Sequence, residues 1–324
     1  SGDVDWNTAE PSRLLQVFVG KREHCCVGRT PIAGKYRRSG DQLSFAPSFG
    51  FTLGQDYVVR LHGSSEKLLS FLIESDAPVV PAAVTAIYPS GETLPENTLR
   101  FYIHFSAPMQ PHVAFEYIGL QNAEGAVDDA AFMKFKQELW NEDRTRLTVL
   151  VDPGRIKRGV ATNLELGPAL LAGQDYALTI APGWPSADGR TVTAGFSKPF
   201  NVSAPLRSRL DTALWDVSVP SLGGFDVLRI TFDRPFDHQL LQKDIRVITP
   251  DGKAVGGDIE IGEDETTWEF QPSAPWQDRQ LMLIVRGTLE DVAGNNFQDL
   301  LDHAVGTTLA DIPFVRLPIT LQQK

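Results

Sequence analysis

Cysteine is almost absent from this sequence: two occur in 324 residues, and they are the neighbours Cys25 and Cys26. A bridge between adjacent residues closes a small strained ring, so free thiols are expected. In an extended segment His24, Cys25 and Cys26 alternate faces and cannot converge on one ion, so no metal is assigned to them. Such sparse cysteine fits a reducing or an oxidising compartment equally. Long apolar runs are also missing. None approaches the ~18 to 20 residues that span a bilayer, so no membrane span is expected. The opening SGDVDWN has no basic or apolar leader region. A removed signal segment, or a lipid position ahead of Ser1 and Gly2, is left open. Positive charge is in short supply: 30 Lys and Arg against 41 Asp and Glu give a net charge of −11. That balance repels phosphate backbones, so nucleic acid is not an expected partner.

Catalytic spacings are absent in turn. There is no G-x-S-x-G elbow, H-E-x-x-H helix or G-x-G-x-x-G turn. Gly28 to Lys35 comes near a phosphate loop, but five residues separate its glycines and Tyr36 stands where Ser or Thr should hold magnesium. The six histidines, His24, His62, His104, His112, His238 and His303, are scattered with no two at ligand spacing. Carboxylate pairs suited to glycoside hydrolysis are defined by separation in space, which 41 acids cannot reveal in sequence.

What is present is strand. Hydrophobic residues make up 42% and charged residues 22%, as in globular proteins that bury real cores. The length suggests two or three domains. Short runs rich in Val, Ile, Leu, Phe and Thr recur between Gly, Pro, Asp and Asn, among them Leu14 to Val19, Tyr57 to Leu61, Leu99 to Phe105, Leu147 to Val151, Tyr176 to Ile180, Val227 to Phe232, Ile245 to Ile248 and Leu281 to Val285. The best helical period is Asp129 to Trp140, where Phe132, Phe135 and Leu139 share a face. A second short helical turn is expected after Asp237, with Leu240 and Leu241 inward. The fold class is all-β with small helical insertions.

The chain also repeats itself. LRFYIHFSAPM at Leu99 to Met109 returns as LRITFDRPFD at Leu228 to Asp237. A strand, a Pro and a later strand recur from Leu43, Leu147 and Trp268, and Gln-Asp-Tyr after Gly recurs at Gln55 to Tyr57 and Gln174 to Tyr176. Three copies of one β unit account for this. Pro and Ala cluster at Asp76 to Ala83 and Val202 to Leu206, which read as linkers. The expected domains are therefore 1–78, 79–204 and 205–308, with a tail at 309–324. The middle copy carries insertions at Asp128 to Asn141 and Gly154 to Gly167.

These residues carry a resemblance. The strand before FSAPM, the later apolar strand with Pro, and LEDVAGNNF at Leu289 to Phe297 resemble the bacterial Ig-like domains of S-layer and other surface proteins, whose copies commonly end in a D-x-x-G-N loop. The last two domains match best, and the first looks like a shorter copy. The whole order, with ELWNEDRTRLTVLVDPGRIKRG at Glu138 to Gly159, is similar to exported bacterial proteins. The resemblance implies tandem Ig-like β-sandwiches and a periplasmic or cell-surface address, with lipid anchoring open, but no reaction.

The most distinctive local signal is the cationic turn Arg155, Lys157 and Arg158. Guanidinium forks match carboxylates, sulfates and phosphates, and Trp140 nearby in sequence would add an aromatic platform, so these four residues are the candidate contact for an anionic glycan or cell-envelope component. The competing reading is a solvated loop pairing with Glu138, Glu142 or Asp143. Asp291, Asn295 and Asn296 offer oxygens to calcium, but Asp-x-x-Gly-Asn is also an ordinary turn with Gly294 at positive φ. No cofactor is implied. Trp215 and Trp268 are expected in cores, and Trp184 and Trp276, beside prolines, at the surface. The reading is a non-catalytic exported binding or spacer module. Its alternative is a carbohydrate-active or other hydrolytic protein with a site at a domain junction.

Overall fold

The computed structural model describes residues 9–22, 25–26, 29–52, 55–62, 67–73, 81–135, 137–187, 194–303 and 311–323. His24 lies outside them. The chain divides into two compact units, residues 1–82 with 185–191, and residues 83–184 with 192–324.

The first unit opens on α1 (Pro11–Leu14), where Pro11 sits in the first turn and costs no hydrogen bond. Strands β1 (Leu15–Val19), β2 (Gly34–Ser39), β3 (Gln42–Pro47), β4 (Asp56–Leu61) and β5 (Lys67–Leu72) follow. They form a three-stranded sheet in the order β1-β4-β5 and the hairpin β2-β3. Phe51, Tyr57 and Phe71 close a ring cluster with centroids 4.7 to 5.4 Å apart. The expectation of free thiols is corrected here, because Cys25 and Cys26 are joined in a vicinal disulfide. The expectation rested on the strain of the ring that adjacent cysteines close; Cys26 stands in a bend with a φ of 137°.

The second unit holds two sandwiches built to one plan. Its first half contains β6 (Val84–Tyr88), β7 (Thr93–Pro95), β8 (Arg100–Phe105), β9 (Ile118–Asn122), β10 (Leu139–Trp140), β11 (Arg146–Leu150), α2 (Pro153–Ile156), α3 (Ala161–Leu166), β12 (Asp175–Ile180) and β13 (Phe196–Ser203). Its second half contains β14 (Asp216–Ser218), β15 (Leu228–Thr231), α4 (His238–Asp244), β16 (Ile245–Ile248), β17 (Gly257–Ile261), β18 (Thr267–Pro272), β19 (Gln280–Arg286) and β20 (Phe314–Thr320). One sheet runs β6-β8-β11-β10 in the first and β14-β15-β18-β17 in the second. The other runs β9-β12-β13-β7 and β16-β19-β20. The repeated sequence elements therefore occupy equivalent strands, β8 with β15 and β11 with β18.

That equivalence corrects the expected tail. Residues 314–320 pair antiparallel along the whole of β19, as β13 pairs with β12. The sandwich needs a last strand after the Leu289 to Phe297 loop, and β20 (Phe314–Thr320) supplies it. The expected helix at Asp129 to Trp140 is also corrected. Phe132 bridges Val151, and the amide of Met133 donates to the Leu150 carbonyl, so the backbone is satisfied along the strand edge. Phe132 still reaches the core, against the edge of Phe101. The turn after Asp237 is a helix, α4. Asp237 Oδ1 accepts from the amides of Gln239 and Leu240, and Leu241 is fully buried.

Alternation assigns the cores. On β8, Phe101, Ile103 and Phe105 point into the first sandwich, where Phe101 meets Phe200 of the opposite sheet. The second sandwich packs Leu228, Ile230, Trp268 and Phe270 of one sheet against Val247, Leu283, Val285 and Ile319 of the other. Trp184 and Trp276, expected at the surface, are buried. Each indole N–H finds a backbone carbonyl, of Gln110 for Trp184 and Asp226 for Trp276, so each loop tryptophan can turn inward. Truncation after residue 310 removes β20 and opens this core. We expect that variant to lose the cooperative thermal transition of the second sandwich, measured by circular dichroism, while a truncation after Gln322 retains it.

Candidate functional site

The same alternation that buries Phe101, Ile103 and Phe105 turns Arg100, Tyr102 and His104 to the other face of β8. Register sets Tyr88 beside Tyr102 and Arg146 beside His104. In a solitary sandwich this face would meet water. Here it meets the N-terminus of α4 in the second sandwich, and the two form a seam.

Asp237 is the centre of the seam. Its carboxylate caps α4, accepts from the Tyr102 hydroxyl at 2.8 and 3.0 Å, and lies 3.5 Å from an Arg100 nitrogen. Arg100 also bonds Glu290. Beside it the Ser90 amide donates to both oxygens of the fully buried Glu265, at 2.9 and 3.1 Å, and the Asp264 amide donates to Ser90 Oγ. Arg146 bonds Gln239, and the rings of Tyr88 and His238 stack. The Val202 to Leu206 segment, expected to be a linker, is bound in: Leu206 exchanges two hydrogen bonds with the Asn97 side chain and accepts a third from Asn295. At the far end Arg158 and Arg207 share Asp302.

Burial and charge act together in this seam. Burial pushes the Tyr102 phenol well above its ordinary range, and the negative Asp237 adds to that shift. Arg100 is desolvated, but Asp237 and Glu290 outweigh the cost and its pKa rises. Burial raises the Glu290 carboxyl even with Arg100 upon it. For Asp302 the balance is reversed. Burial would raise it, while the Arg158 amide and guanidinium and the Arg207 charge hold it below the usual carboxylate range.

The four candidate contact residues do not form one site. Arg155 is buried, its guanidinium 2.9 Å from Asp128 and donating to the carbonyls of Gly167 and Pro168. Arg158, mostly exposed, pairs with Asp302 at 2.7 Å. Lys157 between them is half-buried. Trp140 donates to Glu138 and packs its ring on Phe105 and Trp184. Both guanidiniums thus close internal carboxylate pairs, with partners other than the expected Glu138, Glu142 and Asp143. The Asp291, Asn295 and Asn296 oxygens likewise serve their own loop. Asp291 accepts from the amides of Ala293 and Asn295 and from the Asn295 side chain. Asn295 accepts from the Leu301 amide, and Asn296 from those of Gln298 and Asp299. Gly294, at a φ of 78°, completes the turn.

Sequence reading did not single out Arg100, Tyr102, Asp237, Glu265, Glu290 or Asp302 as a group. No local signal marks them, since Arg100, Tyr102 and His104 alternate with core residues as solvent-facing positions do.

No protein-family model matches the chain, and no curated protein does. Among solved structures it is similar to the S-layer protein rSbsC(31-844), at 8% identity and a TM-score of 0.28 over 75% of this chain and 26% of that one. It is similar to domains 4–9 of the surface layer protein SbsC, at 9% identity and a TM-score of 0.24 over 98% and 40%. A likeness to the N-terminal eight Ig domains of Down Syndrome Cell Adhesion Molecule has 9% identity and a TM-score of 0.22 over 87% and 33%. The chain thus spans well under half of each. At such scores these likenesses carry no functional argument. The class, tandem all-β sandwiches, rests on the strand order and cores described above. No helix among the described residues is long and apolar enough to cross a membrane.

Two measurements test the seam and its neighbouring loop. Tyr102→Phe removes one bond to a buried carboxylate and should cost about 1.5 to 3 kcal/mol in urea unfolding. Asp237→Ala, which also removes the α4 cap and the Arg100 partner, should cost more. The second concerns Asp291, whose carboxyl burial raises to about 6 against bonds from Asn295. The folded chain then holds a proton that the unfolded chain releases near pH ~4. This group's stabilising contribution is full below that pH and is lost as pH rises through about 6. Relative to Asp291→Asn, the native chain should lose stability across that window by up to about 1.4 kcal/mol per pH unit, read from thermal unfolding.

Proposed function

We propose that this chain is a non-catalytic tandem Ig-like module that presents its last two sandwiches as one rigid piece, acting as a spacer and binding element at a cell surface or in the periplasm. The seam around Asp237 supports this reading. Four acids of the seam are committed to internal partners: Asp237 to Tyr102 and the α4 amides, Glu265 to Ser90, Glu290 to Arg100, and Asp302 to Arg158 and Arg207. Directional bonds of this kind fix orientation more than they add stability, which is what a spacer requires.

Dyes placed at Glu124→Cys and Lys253→Cys, exposed positions on the two sandwiches, with Cys25 and Cys26 replaced by Ser, report that orientation. Single-molecule energy transfer should give one narrow distribution. Replacing Arg100, Tyr102 and Glu265 together by Ala should broaden it. A broad distribution in the chain with an intact seam would overturn the rigid-spacer reading. Protease treatment of intact cells and of spheroplasts tests the address: a surface module is cut in both, a periplasmic one in spheroplasts alone, and a cytoplasmic marker survives in both.

A further inference from the structure

The two sandwiches of the second unit differ most between the strands that correspond to β11 and β12. The second sandwich crosses this gap with residues 273–279, and the first uses residues 151–174. That longer crossing contains α3, none of whose residues is buried. Leu164 is 74% exposed and Leu166 55%, and Val160 and Leu171 are exposed beside them. A helix ordinarily turns its leucines to a core, and this one turns them to solvent.

Across from α3 the β9 hairpin presents Val127, itself 50% exposed. Between them runs a groove of about 510 Å³ lined by Leu120, Val127, Leu166, Leu171, Tyr176 and Asp128. Its lining carries Asp128, Asp129 and Arg155, a net negative charge. The cation at the groove, Arg155, is consumed by Asp128 and two carbonyls. Glu124, Asp129 and Glu165 are exposed nearby, and among the described residues none of them forms an ion pair. An apolar floor with an acidic rim complements aliphatic side chains flanked by cations.

We propose that this groove is a docking surface for a segment of a partner protein that carries aliphatic side chains flanked by Lys or Arg. The inference rests on the module reading and names its binding face. It moves the contact from the cationic turn itself to the aliphatic face of the same insertion, and it reverses the sign of the partner.

The probe is a fluorescein-labelled peptide Lys-Leu-Ala-Leu-Lys, followed by anisotropy against the full chain. Two further peptides carry Glu for Lys or Ser for Leu. Saturable binding of the first peptide is expected, at least about tenfold tighter than either of the others. The variant Val127→Lys with Leu166→Lys should weaken it at least about tenfold. A charge-matched control, Leu214→Lys with Phe225→Lys at exposed positions of the second sandwich, should leave it within about twofold. All four sites are exposed, and circular dichroism checks that each variant is folded. Equal loss in the control, or equal binding of the Ser or Glu peptide, would overturn the proposal. So would sedimentation showing self-association that the groove variant abolishes, since the occupant would then be a second copy. No binding, together with a narrow energy-transfer distribution, would sink the groove and leave the rigid module standing.

Discussion

Much of the second unit depends on one buried carboxylate. Asp237 starts α4, receives the Tyr102 hydroxyl from the neighbouring sandwich, and faces the Arg100 guanidinium. An ionised carboxylate with almost no solvent would be costly unless several donors converge on it. They come from two sandwiches, so the charge is satisfied only when the two meet in one orientation. Arg100 repeats the logic in reverse, as a half-buried cation shared between Asp237 and Glu290. Neither sandwich alone completes this set.

Much of the fold was legible because periodicity and repetition are local. The alternation in Leu99 to Phe105 and in Leu228 to Phe232 assigned strands, and their similarity assigned those strands to equivalent places in two sheets. What failed was also physical. Phe132, Phe135 and Leu139 have helical spacing, but the adjacent edge of β11 offered their backbone a partner, and tertiary pairing overrode the period. Phe314 to Thr320 was read as part of a tail because it follows the motif-bearing loop and holds Pro318, with Pro313 just before it. Pro318 belongs on β20 because an edge strand can forgo a donor on its open side.

The seam was much less legible. Arg100, Tyr102 and His104 alternate with core residues as exposed positions would, and nothing local distinguishes a face turned to water from a face turned to another domain. Asp237 was readable as a cap, yet its second role depends on Tyr102, remote in sequence. The cationic turn misled for a related reason. Three cations in a chain of net charge −11 do create a local field, but Asp128 and Asp302 neutralise two of them from outside the turn.

The balance between polar and apolar contacts shows what such a seam does for the two sandwiches. An apolar interface of equal size would hold the sandwiches together at least as well, because desolvating Arg100, Asp237, Glu265 and Glu290 offsets much of what their bonds return. Apolar contacts, however, tolerate sliding. A hydroxyl at 2.8 Å from Asp237 and an amide at 2.9 Å from Glu265 do not, since a displacement of an ångström leaves a buried charge short of a donor. The cost of misalignment, more than the gain from contact, sets the orientation. The seam therefore fixes where the α3 groove of the first sandwich sits relative to the second, so that any partner on that groove meets the pair in a defined geometry.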